Sequence, residues 1–474
     1  MAPDSGTMHK NWGSMKHRTN GSTVRPIAVI GVLLTAAALL MASCSNSSST
    51  GSTTTTSTSG TSSTSSPSSS TGGSGGSTAP GVTPTEIKVG TISTLTGAIA
   101  SNFNAFSPGM QAYFDTVNAA GGINGRKLNL AFNLDDGGNP TTFTQLAHTL
   151  VQQDGVFAVG TSTYWFTPGL FVQTGIPTYG YNVSGNWAGP PNLFAAGSSV
   201  QDYTLGLPAV SYLIKKTKAK SVAIISYGPA IASSYNACHA DAQGLAAAGI
   251  NVSYDDLAAS LGGSYTSAVQ RMQQAGVDFV VSCMQSSDNI TVARTLQQYG
   301  VKATQLWFDG YENSLLSHYT SLMQGVYFNV NGTVPFDAIN AFPGKYPGVA
   351  AYLAAMKKYE PNFEFSQVAL QGWESGALLA AGIKAAGSNL TQANVIDQTN
   401  KITNFTAGGL SATTNWTVDH TGSTFPGCSA FVQVKGTTFV PALTTGSEVF
   451  TCFNKGVSLK NPVLATPPQG TPGT

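Results

Sequence analysis

Charge is scarce in this sequence. Only 9% of the 474 residues are Asp, Glu, Lys or Arg, and 22 basic against 21 acidic side chains leave a formal net charge of +1. So balanced a chain has no excess of cations with which to displace counterions, which argues against nucleic acid as a partner. Cysteine is scarce as well: there are 5, none in a CxxC or CxxH spacing, so a metal site competes only weakly with disulfides for the four beyond Cys44. No apolar run reaches the ~20 residues that span a bilayer, since the longest, Ile27 to Ala42, has roughly 16. Catalytic signatures are missing too. There is no GxSxG elbow between a strand and a helix, no GxGxxG after the first strand, no Walker loop and no HExxH. GGINGRK at Gly121 to Lys127 has its glycines after a helix rather than before one, and His148 and His239 have no acid or nucleophile placed by spacing to work with them. No enzyme activity and no cofactor is expected.

What is present begins with Lys10, Lys16, Arg18 and Arg25 ahead of the apolar run, the order of an export signal. Met41-Ala42-Ser43-Cys44 resembles the bacterial lipobox, in which small residues precede a cysteine that is lipidated and becomes the first residue of the mature chain. The resemblance implies a signal over 1–43 and membrane anchoring through Cys44; a plain cleaved signal and an uncleaved anchor are the alternatives. From Ser45 to about Ala79 the chain is Ser, Thr and Gly, with no apolar burial to offset the entropy of ordering, so 44–80 reads as a tether. Outside the cell, Cys238, Cys283, Cys428 and Cys452 make two disulfides. Three pairings exist on paper, and Cys238 with Cys283 and Cys428 with Cys452 is preferred because each pair falls within one local region.

Past Val82, short β-branched runs alternate with helical patterns. Strands are expected at Ile87 to Ile92, Leu128 to Leu134, Val156 to Val159, Pro177 to Tyr179, Val222 to Ser226, Ile250 to Tyr254, Phe279 to Ser282 and Gln305 to Phe308. Ser107-Pro108 is the expected N-cap and first residue of a helix through Ala119; other helices are expected at Thr142 to Gln153, Tyr203 to Lys216, Ser233 to Ala248, Tyr265 to Ala275 and Asn289 to Tyr299. Strand and helix in alternation imply an α/β fold with parallel sheets covered on both faces. A weak internal repeat suggests two of them: AAGGINGRKLNLAFNLDD resembles AAAGINVSYDD, and QQDGVFAVG resembles QQAGVDFVV, in the same order in each half.

Ile87-Lys88-Val89-Gly90, Leu95-Thr96-Gly97, AYFDTVNAAGGINGRKLNL before Asp135-Asp136, LVQQDGVFAVG and TGIPTYGYN together resemble the branched-chain amino acid (Leu/Ile/Val) binding-protein family of ABC importers, from about Glu86 to about Val434. The resemblance implies the type I periplasmic binding protein fold, two doubly wound Rossmann-like lobes joined by three crossovers and closing on one small ligand. Residues 81–204 with 327–404 would form the first lobe and 205–326 with 405–455 the second, leaving 456–474 as a flexible tail. The helix-rich stretch Pro347 to Lys401 would complete the first lobe, and the β-rich segment with Cys428 and Cys452 would pack on the second.

Ligands of open parallel sheets sit beyond the carboxyl ends of the strands, and two facing lobes put both sets of loops against one molecule. Those loops, among them Leu95 to Asn104 with Ser101 and Asn102, are short of charge and rich in hydroxyl and aromatic groups. Family roles carried over by the resemblance place the carboxylate-binding hydroxyl at Thr163 or Tyr164, the next loop's contacts at Asn182 and Ser184, and the acid that receives an α-ammonium at Asp309. Asp309 also reads as a turn residue or as a helix N-cap before Asn313. Where the family has second-lobe tyrosines this chain has Ser233 and Gln285, with Tyr227 and Tyr235 nearby, a departure that leaves the ligand's identity open. Tyr164, Trp165 and Tyr181 read either as pocket walls or as core. The expectation is a monomeric, lipid-anchored solute-binding protein that takes an amino acid, amide or short carboxylate to an ABC permease. A sensor of the same fold feeding a signalling partner is the alternative.

Overall fold

The computed structural model describes residues 79–183, 185–197, 207–421, 427–454, 456–468 and 470–472. The expected signal, Cys44, nearly all of the tether and Ser184 lie outside the described residues. The first sheet has strands β1 (Glu86–Ser93), β2 (Lys127–Asp135), β3 (Ala158–Ser162), β4 (Thr178–Gly180) and β5 (Leu193–Ala195), in the order β2-β1-β3-β4-β5 and all parallel. The second has β6 (Val222–Tyr227), β7 (Val252–Ala259), β8 (Phe279–Ser282), β9 (Thr304–Trp307), β10 (Tyr327–Asn329), β11 (Cys428–Lys435), β12 (Thr438–Ala442), β13 (Phe450–Phe453) and β14 (Leu464–Ala465). Its order is β14-β13-β11-β10-β9-β8-β6-β7, with β12 paired to β11. Strands β6 to β10 run parallel and β11 returns antiparallel to β10.

Burial explains why continuous apolar runs became central strands. Every residue of β3, β6 and β8 is buried, as a parallel strand covered by helices on both faces requires, whereas the edge strands β2 and β7 are largely half-exposed. Both sheets therefore carry the two-sided covering anticipated from the alternation of elements.

Within the expected return, helix Gln367–Ala386 begins with Ser366, whose side chain accepts from Ala369 N–H, and nearly all of its residues are buried. It packs on helix Phe106–Ala119 so closely that a Cβ on Gly109 would stand 2.0 Å from the Ala369 carbonyl oxygen, and one on Gly372 would stand 1.9 Å from that of Phe106. Tyr113 meets Trp373 edge-on at 5.0 Å beside them. The return thus completes the layer over the first sheet.

Several boundaries moved for identifiable reasons. Helix Phe106–Ala119 takes Ala105, not Ser107, as its cap, because the Ser107 hydroxyl is buried 2.9 Å from Thr91 Oγ1 and ties the helix to β1. The expected helix Thr142 to Gln153 is an α-helix, Pro140–His148, capped by Asn139 and continued as a wider π-turn, Thr149–Gln153. The three-residue strands β5 and β10 were too short to show a period. Strand β10 joins the second sheet just past the expected division at residue 326, and β14 adds an edge strand within the stretch expected as a tail. Both disulfides have the preferred pairing, Cys238–Cys283 and Cys428–Cys452, the latter between directly opposed residues of β11 and β13.

Candidate functional site

In each sheet the chain steps out to one side and returns on the other, so β1 and β3, and likewise β6 and β8, flank a switch point where two loops diverge at the carboxyl ends. Asn102 and Tyr164 come from the loops after β1 and β3, and Tyr227 and Gln285 from β6 and the loop after β8; Asp309 follows β9. These two sets meet. Asn102 Nδ2 donates to Asp309 Oδ2 across a sequence separation of 207 residues, with Tyr164 Oη 3.5 Å away from the same amide. Asn102 is buried, and its ring neighbour Phe103 supports Tyr164 edge-on at 4.6 Å and lies 6.2 Å from Tyr181.

Asp309 is half-buried and also accepts from the backbone N–H groups of Gly310 and Ser286. Burial raises its carboxyl to about 7 despite those donors. Glu312, three residues on and buried, is raised to about 8, first by burial and then by the charge of Asp309; its Oε1 has no partner. Burial and the same Asp309 charge push the Tyr164 phenol upward. The site thus gathers two acids that burial holds partly protonated, and no cation stands among the groups that perturb them.

A second network lies on the β6–β8 side. The Tyr227 hydroxyl donates to Asp288 Oδ2 at 2.5 Å and accepts from Gln285 N–H at 3.2 Å, while Gly262 N–H and Gln285 Nε2 donate to the same carboxylate oxygen at 3.0 and 3.3 Å. Asp288 occupies the first turn of helix Ser286–Gln298, where the helix dipole favours an anion. Burial and the Asp288 hydrogen bond raise the Tyr227 phenol well above its ordinary value. Gln285 Oε1 is buried without a partner.

The other candidates take varied positions. Thr163 is buried and its Oγ1 accepts from Thr94 Oγ1 at 3.1 Å and Trp165 N–H at 3.2 Å, so this hydroxyl supports the loop, while Tyr164 is the member of the pair that reaches Asn102. Ser101 is exposed and turns only to Asn102 Oδ1, at 3.3 Å. Asn182 is half-buried beside Tyr181. Ser233 is half-buried in the first turn of helix Ala232–Ala247, where its neighbour Ser234 accepts from Tyr227 N–H at 3.0 Å; Tyr235 stacks on His239 at 5.3 Å. Sequence reasoning passed over Asp288 and Glu312. An acid two residues into a helix that follows a buried strand was the available signal for Asp288; nothing local marked Glu312, whose burial arises from a bridge to Ser366 across the fold.

This arrangement of two switch-point clefts has relatives. Residues 86–438, well over half of the chain, match the model of a family described as periplasmic binding protein. The chain belongs to the periplasmic binding protein family. A Leu/Ile/Val-binding protein homolog from Brucella melitensis is 26% identical over 315 residues, 64% of this chain and 80% of that one. The Leu/Ile/Val/Thr-binding protein of Salmonella typhimurium is 24% identical over 252 residues, covering 49% and 64%. Among solved structures, a fatty acid ABC transporter substrate-binding protein from Thermomonospora curvata superposes with a TM-score of 0.65 at 16% identity, over 79% of this chain and 97% of that one. A branched-chain amino acid ABC transporter from Thermus thermophilus with bound valine gives 0.62 at 17% identity, over 77% and 98%. The structural likenesses establish the type I periplasmic binding protein fold, and the family is one of solute-binding proteins rather than enzymes.

Proposed function

We propose that the chain is the extracytoplasmic solute-binding lipoprotein of an ABC importer, anchored through Cys44, and that it captures a small solute bearing an amino group and hands it to a permease. The first sheet with its helices and the second with its own would act as the two closing lobes. The observation that carries this is the meeting of Asn102 with Asp309 at the carboxyl ends of the two sheets. An ammonium entering there would take the place of the Asn102 amide and pair with an acid that no cation among the described residues perturbs, a charge-assisted exchange worth more than the neutral hydrogen bond it replaces. Tyr164 and backbone N–H groups of the first-sheet loops would hold the solute's polar end, with Phe103 and Tyr181 beside its apolar part. The names of the relatives favour amino acids with aliphatic side chains as the first class to screen.

Protein refolded free of bound solute, screened by thermal shift against amino acids, short amides and small carboxylates, tests the reading. A true ligand at 100 times its Kd adds about 2.7 kcal/mol of stability. If no solute of these classes raises Tm, the import reading fails; if Asp309→Ala leaves the affinity for an amino acid unchanged, Asp309 loses the ammonium role.

A further inference from the structure

Several lysines cluster at one place outside the cleft. Helix Pro208–Thr217 ends in Lys215 and Lys216, Lys218 and Lys220 follow it, and Lys460 lies close enough to Lys215 to hold its ammonium below the ordinary value, after burial. Five of the 22 Lys and Arg residues thus stand on one rim of the second sheet. Lys215 Nζ donates to the carbonyls of Leu459, at 3.0 Å, and Lys460, which fixes the C-terminal segment against the helix. The Lys216 ammonium lies 5.2 Å from the centre of the Tyr212 ring, and Lys216, Lys218, Lys220 and Lys460 are all exposed. Between helix and segment runs an open groove of about 390 Å³. Val463, which lines the groove, is 72% exposed, the most of any large apolar residue among the described ones; Leu464, the next residue, is 38% exposed at the start of edge strand β14. One acid faces the rim from below: Asp278 accepts from the backbone N–H groups of Lys220 and Ser221 and offsets part of the charge there.

We propose that this rim seats the second sheet's lobe on an anionic lipid surface. Lysines beside an exposed apolar side chain match a bilayer interface, where the amines meet headgroup phosphates and the apolar tip reaches the acyl boundary. Lys215, Lys216 and Lys460 on the groove, with Lys218 and Lys220 just beyond the helix, have their complement in such a surface. The proposal rests on the lipid-anchor reading, which would keep the chain at a membrane. Seating would hold the lobe in one orientation.

The test is co-sedimentation of the full chain with vesicles of phosphatidylcholine alone and with about one third phosphatidylglycerol, at low and high salt. Any lipid anchor contributes equally to both vesicle types, so the difference between them isolates the rim. The expected result is at least tenfold stronger partition to the anionic vesicles, lost at high salt. With roughly fivefold per seated lysine, the Lys216→Glu, Lys460→Glu double variant should lose more than tenfold while keeping its Tm. Equal partition to both vesicles, a preference that survives the double variant, or protection of Lys216 and Lys460 from amine labelling only when a protein partner is added each overturns the proposal. Mass spectrometry of the Cys44 peptide separates the two readings: an unlipidated chain with an anionic preference removes the anchor and keeps the rim, whereas a lipidated chain with no preference does the reverse.

Discussion

Glu312→Gln probes the acid pair at the base of the cleft without changing its shape. The Glu312 carboxyl is raised from 4.5 to about 8 by burial and by Asp309, so the folded protein holds its proton more tightly than the unfolded chain does. Such a group stabilises the fold fully below the unfolded value and loses that contribution as pH rises through the folded one. The window therefore runs from about pH 5 to about pH 8. Without relaxation the ionised form would cost about 4–5 kcal/mol, and because Asp309 shares the perturbation while half-exposed, about 2 kcal/mol is the realistic size. Over a folded part of this length that is a Tm difference of about 2–3 °C. Thermal unfolding of both proteins between pH 5 and pH 8 should show equal Tm at the acid end and a more stable Glu312→Gln at the alkaline end. Both will retain a background slope from Asp241 and Glu374, which burial raises to about 7 and about 8. Near pH 6 Glu312 is already protonated in the parent, so an amino ligand should bind parent and variant equally there. A variant whose Tm falls with pH as steeply as that of the parent would refute the raised Glu312 carboxyl.

Other perturbations have equally definite outcomes. Asn102→Ala removes the donor that spans the cleft; affinity for the identified solute, by calorimetry, should change while Tm without solute falls by no more than about 1–2 kcal/mol equivalent, and an unchanged affinity would place the solute elsewhere. Tyr227→Phe leaves Asp288 without its shortest donor and should cost about 1–3 kcal/mol in chemical denaturation. Replacing Cys428 and Cys452 by serine opens a loop of 24 residues and should cost about 3 kcal/mol, read as a shift in the urea midpoint relative to the parent.

Much of the architecture was legible because parallel strands buried on both faces are written as uninterrupted apolar words. Val222 to Tyr227 and Phe279 to Ser282 are such words, and the helices after them end at glycines of positive φ, Gly249 and Gly300. Strands of three residues carry no period, and Ser107 resembled a cap because nothing in its neighbourhood announced Thr91, sixteen residues earlier on a strand. The cleft divides the same way. Asn102, Tyr164 and Asp309 lie directly after strands, where topology alone directs attention; Glu312 depends on a bridge to Ser366 that only the folded chain creates. Ser233 and Tyr235 showed the limit of carrying positions across a loop of altered length, since the helix begins there and turns Tyr235 onto His239.

The interlocked glycines of helices Phe106–Ala119 and Gln367–Ala386 fix how this protein can be re-engineered. With carbonyl oxygens of each helix seated where the other's side chains would be, the pair admits neither sliding nor rotation, and no substitution at Gly109 or Gly372 can retune it gradually. Helix Phe106–Ala119 begins four residues after Asn102, so the cleft's first-sheet edge is mounted on an invariant chassis. Changes of solute preference must then come from the loops beyond it, which can be exchanged as cartridges, and a library aimed at new ligands should leave those two helices untouched.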